Sequence, residues 1–201
     1  MRRTLLAALA VLAAAAGCAR LPFTESQPTP TAEEGLWAEV RQRFTRSGKI
    51  YDGLGTNAFA SAVYEPLEAR EARTDRLAVW KKLTAQEREA LLVIERDQAS
   101  RFDDFLVSLF TAARPDNDLT SKKSIWRVAL VVPGEGELLP EIIEEVRIDS
   151  TVLALYPNVG DFDVLYRVRF KRWKEPLADR SFTLRLAGSR GRLDLDFGRK
   201  P

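Results

Sequence analysis

The chain has 201 residues, with 31 Lys and Arg against 29 Asp and Glu, one cysteine and no histidine. The lack of histidine excludes Ser-His-Asp and Cys-His nucleophile systems, histidine zinc sites and zinc proteases of the HExxH type. A single cysteine excludes an internal disulfide and any site built from several thiolates. An enzyme made from this chain would therefore have to work with Asp, Glu, Lys, Tyr or Ser.

The N-terminus has the three parts of an export signal. Arg2 and Arg3 precede the apolar run Leu5–Ala16, and small residues follow that run. As a helix these twelve residues would span about 18 Å, whereas a membrane span needs about 20 residues. We therefore expect a cleaved export signal and not a membrane span.

The segment Ala15-Ala16-Gly17-Cys18 resembles the lipobox of bacterial lipoproteins, although its first residue is alanine where leucine is commoner. The resemblance covers residues 1–18. It implies cleavage between Gly17 and Cys18, with diacylglycerol attached through the cysteine sulfur. Ala19 follows the cysteine where an aspartate would imply retention, which implies delivery to the outer membrane. The alternative is an ordinary secretory signal with a cysteine nearby by chance.

Cleavage would also change the charge balance. Residues 1–17 hold two arginines and no acid, so the chain from Cys18 onward has 29 basic and 29 acidic side chains. That balance argues against a nucleic-acid partner, which usually needs a basic excess. Pro, Ser, Thr and Gln enrich the segment that follows the cysteine, which indicates a flexible tether. We predict a signal peptide at 1–17, a lipidated cysteine and tether at 18–34, and one globular domain at 35–201.

The first part of this domain is predicted to be mainly helical. Apolar residues recur at helical spacing over Glu33–Arg46, which predicts a short helix. Thr56–Tyr64 alternates apolar and small residues and indicates a strand, with a helix as the alternative. Pro66 can open a helix that continues to about Leu83. Thr84-Ala85-Gln86-Glu87 fits a capping box, which predicts a second long helix ending near Arg101.

After Asp104 the pattern changes to β-rich runs separated by turn residues. We predict strands at Phe105–Phe110, Ile125–Val132, Ile142–Ile148, Thr151–Tyr156, Val164–Trp173, Phe182–Leu186 and Leu193–Phe197. Pro133-Gly134 indicates one turn, and Gly188-Ser189-Arg190-Gly191 indicates a terminal hairpin. Helices followed by strands predict an α+β fold with a mostly antiparallel sheet. A β-sandwich of immunoglobulin-like type is the preferred form.

Two loops carry fragments of ligand-binding motifs. Gly53-Leu54-Gly55-Thr56-Asn57-Ala58 matches a loose dinucleotide fingerprint, but that chemistry needs a buried strand before the loop and a helix after it. We predict a turn. Arg114-Pro115-Asp116-Asn117-Asp118 offers oxygen ligands that calcium favours, yet no glycine turn follows and Lys122 and Lys123 would compete with a cation. We predict an ordinary polar loop, no metal and no cofactor.

Pairs of acidic residues are the only sequence feature that would support a carboxylate-based hydrolase. They occur at Asp103-Asp104, Glu144-Glu145, Asp161/Asp163 and Asp194/Asp196. A glycosidase needs two carboxylates that face each other across a cleft, and sequence does not show such a spacing. We predict structural roles for all four pairs.

A basic strand is the strongest candidate for a binding surface. In Val164–Trp173 the apolar and aromatic side chains alternate with basic ones. From Asp163 to Lys200 there are 11 basic and five acidic residues, whereas Glu135–Asp149 has six acids and one arginine. The candidate residues, named here the basic strand surface, are Arg167, Arg169, Lys171, Arg172 and Lys174. They would meet an anionic surface or partner; the alternative is a sheet face that pairs its charges across strands.

Taken together, these features predict an outer-membrane lipoprotein that faces the periplasm and acts as a non-enzymatic binding or assembly module. Its partners would be the membrane, through the lipid, and an envelope protein or the cell wall. Two alternatives stay open: an anchored carboxylate-based hydrolase, and a small-molecule or lipid carrier with an apolar cavity.

Overall fold

The computed structural model describes residues 35–172 and 176–198, apart from the side chain of Asp179. The predicted signal peptide, Cys18 and the tether lie outside the described residues. Within them the helices are α1 Gly35–Arg43, α2 Leu67–Lys81, α3 Ala85–Arg101 and α4 Ser150–Leu155. The strands are β1 Thr45–Asp52, β2 Gly55–Tyr64, β3 Phe102–Thr111, β4 Trp126–Val132, β5 Gly136–Leu138, β6 Ile142–Val146, β7 Val164–Lys171, β8 Thr183–Gly188 and β9 Gly191–Asp196. All of these elements belong to one compact unit.

Two antiparallel sheets form the β part of the fold. The first has the strand order β1-β2-β3-β7-β6 and the second has the order β5-β4-β8-β9. Every strand pair within the described residues is antiparallel. The predicted α+β class with a mostly antiparallel sheet is therefore confirmed. The immunoglobulin-like form stays a prediction.

The core lies between the two sheets, on what we call the inner face of the first sheet. Phe105, Val107 and Leu109 of β3 contribute alternate, fully buried side chains to it. Leu130 and Leu184 of the second sheet belong to the same apolar cluster. The burial of such side chains contributes about 25 cal/mol for each Å² removed from water. The apolar residues at every second position of the strands thus form one continuous apolar layer between the sheets.

Helices cover the opposite, outer face of the first sheet. A second buried cluster joins Trp37 and Val40 of α1 to Val63 of β2, Leu106 of β3 and Leu165 of β7. The indole Nε1 of Trp37 donates a hydrogen bond of 3.0 Å to the carbonyl oxygen of Leu155. The fold therefore has three layers: helices, the first sheet and the second sheet. The central strand β3 of the first sheet is buried on both of its faces.

Local capping explains where the two long helices begin and end. The Thr84 hydroxyl accepts from the Glu87 amide at 3.3 Å, and the Glu87 carboxylate accepts from the Thr84 amide at 2.8 Å. This is the predicted capping box at the start of α3. Lys82 ends α2 in a left-handed conformation with φ of 53°. The three predicted helices are thus confirmed, and so is the strand β2.

One predicted strand is wrong. The sequence pattern predicts that Thr151–Tyr156 is extended, but Ser150–Leu155 is the helix α4. The Asp149 carboxylate accepts from the Val152 amide at 2.8 Å and caps the helix. Leu155 and Tyr156 are buried in the cluster beneath the helical layer. An N-cap and the burial of one end outweigh the β propensity of Thr and Val in this short segment.

Two strands were not predicted from the sequence: β1 and the three-residue β5. The strand β1 lies at the edge of the first sheet and contains few apolar residues. Gly48 lies within it because a Cβ atom there would come within 3.2 Å of the Leu193 and Leu195 side chains of β9. Close approach of the two sheets at this edge requires the missing side chain. The predicted terminal hairpin is confirmed, since Gly188 pairs with Gly191 between β8 and β9.

Candidate functional site

A buried group of charges lies between the helices and the outer face of the first sheet. We call this group the ionic network; its members are Glu65, Arg70, Arg73, Glu95, Asp104 and Arg169. Asp104 is at its centre with a side chain only 1% exposed. Its carboxylate accepts from Nη2 of Arg70 at 2.8 Å, and from Nε and Nη2 of Arg169 at 2.8 and 2.7 Å. Two arginines therefore hold one buried aspartate.

Glu65 and Glu95 complete the ionic network. Glu65 accepts from Nη1 of Arg73 at 2.6 Å and from the hydroxyl of Tyr156. Glu95 bridges Arg70 and Arg73 of α2, accepting from Arg70 at 2.9 Å and from Arg73 at 2.8 Å. The network therefore contains three carboxylates and three guanidinium groups, and its formal charges cancel.

The positions of these residues follow from simple periodicities. Arg70 and Arg73 lie three residues apart on α2, so they share one helix face. Asp104 lies on the outer face of β3, directly opposite Arg169 of β7 in the strand register. Glu95 comes from α3, which packs on α2. The network thus joins two helices to the centre of the sheet.

The electrostatics of the network favour charged, fully paired groups. Burial raises the pKa of the Glu65 carboxyl, but Arg73, the Tyr156 hydroxyl and Arg70 together lower that pKa below its ordinary value. Burial likewise raises the pKa of Asp104, and hydrogen bonds from Arg169 and Arg70 lower it overall. A general acid or base needs a pKa near the working pH. These carboxylates stay ionised at neutral pH, which suits a scaffold.

Tyrosine hydroxyls next to these acids stay protonated. Burial, followed by the charge of Asp103, raises the pKa of Tyr64, whose hydroxyl donates to Asp103 at 2.7 Å. Burial also raises the pKa of Tyr156, which donates to Glu65. Both hydroxyls therefore act as hydrogen-bond donors and not as bases. The pair Asp103-Asp104 is thus divided between the two faces of β3, each acid with its own donors.

The structure separates the members of the basic strand surface. Arg167 pairs with Glu144 of β6 at 2.9 Å, and its side chain is 38% exposed. Arg169 belongs to the ionic network, and Arg172 donates to the carbonyl oxygen of Ala99. Lys171 is exposed at the end of β7. Lys174 lies outside the described residues. Arg167 and Arg169 thus show pairing across strands, while anion binding by this surface stays a prediction.

The other acid pairs make contacts within the chain. Asp163 accepts from the Gly160 amide at 2.8 Å and from the Ser108 hydroxyl. Asp194 accepts from Nε of Arg185 at 2.8 Å across β8 and β9. These contacts agree with the structural roles predicted for the paired acids.

The two motif-bearing loops are also explained by local structure. The glycines Gly53 and Gly55 lie in the hairpin between β1 and β2, so the predicted turn is confirmed. In the second loop Asp116 pairs with Arg190 at 2.7 Å, and the Asn117 amide donates to the carbonyl oxygen of Leu109 at 2.6 Å. Asp118 accepts from the Ser124 hydroxyl at 2.8 Å. Within the described residues, no three His, Cys, Asp or Glu side chains lie close enough to hold a metal ion.

A cleft of about 510 Å³ opens where the junction of α1 and β1 meets the ends of β8 and β9. We call it the aromatic cleft. Three arginines, one glutamate and four aromatic rings line it: Arg43, Arg46, Arg180, Glu68, Phe44, Tyr64, Phe182 and Phe197. This volume falls in the range of small-molecule sites. The aromatic cleft does not include any member of the ionic network.

The rings of the aromatic cleft form one connected group. The centroids of Phe182 and Phe197 lie 5.0 Å apart with the rings almost parallel. Tyr64 meets Phe182 edge-on at 5.2 Å and Phe44 edge-on at 5.9 Å. Phe182, Phe197 and Tyr64 are buried, whereas Phe44 is half-buried. The cleft therefore has a rigid apolar floor.

Arg46 differs from the other two arginines of the cleft. Arg43 pairs with Glu68 at 2.5 Å, and Arg180 pairs with Glu135. Arg46 donates from Nε to the carbonyl oxygen of Asp196 at 2.8 Å, and from Nη1 to two further backbone carbonyls at 2.8 and 2.7 Å. In the part of the chain that the structure describes, no carboxylate pairs with Arg46. Its charge is therefore fixed in place by neutral groups.

Sequence reasoning missed the aromatic cleft. Arg43 lies at the end of α1, Arg46 lies in β1, which was not predicted, and Arg180 lies in the segment before β8, more than 130 residues further along the chain. The sequence indicated only one part of the cleft: the alternation that placed Phe182 and Phe197 in predicted strands.

Comparison of the chain with protein-family models, curated proteins and solved structures finds no significant match. Among the helices of residues 35–172 and 176–198, none has the length and apolar character needed to cross a membrane.

Proposed function

We propose that this chain is a lipoprotein of the bacterial envelope that acts as a non-enzymatic binding or assembly module. One observation carries the second half of the proposal: the carboxylates of the ionic network are held by arginines. Arginines lower the pKa of Glu65 and Asp104 in the ionic network, and Glu68, the acid of the aromatic cleft, pairs with Arg43. A pair of free, facing carboxylates would have favoured the hydrolase instead.

The anchor in this proposal is a lipid on Cys18. The lipobox at residues 15–18 and the tether at 18–34 support it. One acyl chain holds a protein only marginally, and each buried methylene adds about 0.8 kcal/mol, so two or more chains would make release negligible. Ala19 supports sorting to the outer membrane, with the domain facing the periplasm.

The variant Cys18→Ser tests the anchor. Cells expressing the wild-type chain should incorporate radiolabelled palmitate into it, and the chain should fractionate with the outer membrane. The Cys18→Ser chain should lose the label and become soluble or stay unprocessed. Mass spectrometry of the wild-type N-terminus should show a lipid on Cys18. A free thiol at that position, or a variant that still fractionates with the outer membrane, would contradict the anchor.

Crosslinking in intact envelopes tests the binding role. The exposed members of the basic strand surface, Arg167 and Lys171, are the residues to change, because Arg169 is needed for the ionic network. The anchored wild-type chain should yield a reproducible crosslinked partner, and Arg167→Gln with Lys171→Gln should reduce its yield, most strongly at low salt. The control is Lys122→Gln, which removes an exposed cation from the loop before β4. Absence of any adduct, or turnover of envelope substrates by the purified chain, would overturn the proposal.

A further inference from the structure

The aromatic cleft combines two features that together indicate a ligand. Its floor consists of packed aromatic rings, of which Phe44 is only half-buried. Its wall carries the guanidinium of Arg46, whose carbon lies 5.4 Å from the centre of the Phe197 ring. A ligand that fills this space would thus meet an apolar surface and a positive charge within one site.

The unused hydrogen-bonding capacity of Arg46 is specific. A guanidinium has five N–H donors, and three of them donate to the carbonyl oxygens of Asp196, Arg43 and Thr45. Both donors on Nη2 are left without a partner among the described residues. The three carbonyl contacts hold the side chain in one orientation, so a ligand would lose little free energy in ordering it. Carboxylates and phosphates are the acceptors that match a guanidinium best.

The charge balance of the lining favours one anionic group on the ligand. Glu68 offsets Arg43 and Glu135 offsets Arg180. Arg46 remains as the one cation of the lining without a carboxylate partner among the described residues. A ligand with a second anionic group would have to displace one of the two pairs. A neutral ligand would leave the Nη2 donors of Arg46 desolvated, which is unfavourable.

We propose that the aromatic cleft binds a small molecule that carries one carboxylate or phosphate group on an apolar, preferably aromatic, body. The anion accepts from Nη2 of Arg46, and the apolar body lies against Phe44, the half-buried ring of the cleft. This inference rests on the proposed binding role and adds the chemistry of the ligand to it.

Calorimetric titration with three naphthalene probes tests the inference. 1-Naphthoate, 1-naphthyl phosphate and neutral 1-naphthol share one ring system and differ in the polar group. The protein is the full chain with Cys18→Ser, which has no lipid attachment point whatever its natural processing. We expect naphthol to bind at least tenfold more weakly than the better of the two anions. The comparison of naphthoate with naphthyl phosphate shows which anion the cleft prefers.

Arg46→Gln should weaken binding of the preferred anion at least tenfold and leave naphthol unchanged. The control is Arg192→Gln, an exposed arginine of β9 outside the cleft lining, which should stay within twofold of the parent. Equal affinity for all three probes, or an unchanged affinity in Arg46→Gln, would overturn the inference.

Amide chemical shifts of the parent chain give a test that needs no variant in the cleft. The preferred anion should shift the amides of Phe44, Arg46, Phe182 and Phe197 and not those of α3. Shifts centred elsewhere, or none at millimolar probe, would refute the cleft as the site. Such a result would leave the envelope crosslinks of Arg167 and Lys171 unaffected, so failure of the inference is distinguishable from failure of the proposed function.

Discussion

The two faces of strand β3 are both buried, but they are stabilised in opposite ways. On the inner face Phe105, Val107 and Leu109 pack against the second sheet. On the outer face Asp104 lies beneath the helices and is held by Arg70 and Arg169. Successive residues of one strand therefore enter an apolar layer and an ionic network.

The difference shows what each kind of burial tolerates. Apolar contacts are non-directional, so a residue of similar volume can replace another at small cost. A buried ion pair gives little net stability compared with an apolar pair, but the loss of one partner leaves an uncompensated charge that costs about 3–5 kcal/mol. We therefore expect the inner face to be robust to conservative changes and the outer face to be sensitive to them.

The largest effect should come from Asp104→Asn. This change keeps the shape of the side chain but removes the negative charge that Arg70 and Arg169 share. The free energy of unfolding at pH 7 should fall by about 3–5 kcal/mol, as measured by urea denaturation. The matched control is Asp194→Asn, whose pair with Arg185 is about a quarter exposed, so its cost should be about 1 kcal/mol or less. An equal fall in the free energy of unfolding in the two variants would show that the buried ionic network is no more sensitive to the loss of a charge than a partly exposed pair.

Lowering the pH should reduce the stability that the charged groups of the outer face contribute before it affects the apolar contacts of the inner face. Folding lowers the pKa of Glu65 and Asp104, so the unfolded chain binds more protons than the folded chain as the pH falls. Their contribution is complete above the unfolded pKa values of about 4, and it is lost as the pH falls towards the lower, folded values. The urea midpoint should decline below pH 5, and it should decline less steeply in Asp104→Asn. Parallel pH profiles for the two proteins would contradict this origin.

The smallest effect should come from Leu109→Met on the inner face of the same strand. The two side chains have similar volumes and neither carries a charge, so the free energy of unfolding should fall by less than about 1.5 kcal/mol. Urea denaturation under the conditions used for Asp104→Asn makes the comparison direct. A loss as large as that of Asp104→Asn would mean that both faces of β3 are equally intolerant.

Much of the architecture could be predicted because it depends on neighbours in the sequence. The capping box of Thr84 and Glu87 acts within four residues. The alternation in β7 places the neighbouring residues Tyr166 and Arg167 on opposite faces of the strand. The prediction failed where a distant contact decides the conformation. Thr151–Tyr156 is helical because its buried end packs with α1, and β1 is a strand because it pairs with β2 and packs against β9.

The candidate sites depend even more on distant contacts. The sequence correctly divided β7 into an apolar face and a basic face, but it did not show that Arg169 meets a buried aspartate while Lys171 stays exposed. Nothing near Arg46 in the sequence indicates Phe197 or the carbonyl group of Asp196. The aromatic cleft could not be predicted because its members come from segments at opposite ends of the domain.

The sequence by itself determined the composition limits. It also determined the lipobox resemblance, the caps and most of the strand and helix boundaries, because each of these follows from residues within a few positions of one another. Only the tertiary structure decided that the polar face of the first sheet is covered by helices and that its charges pair with one another. It alone brought Arg46 to an aromatic floor. The physical reason is that alternation sorts side chains to two faces of a strand, whereas the packing of a third layer decides whether the polar face meets water.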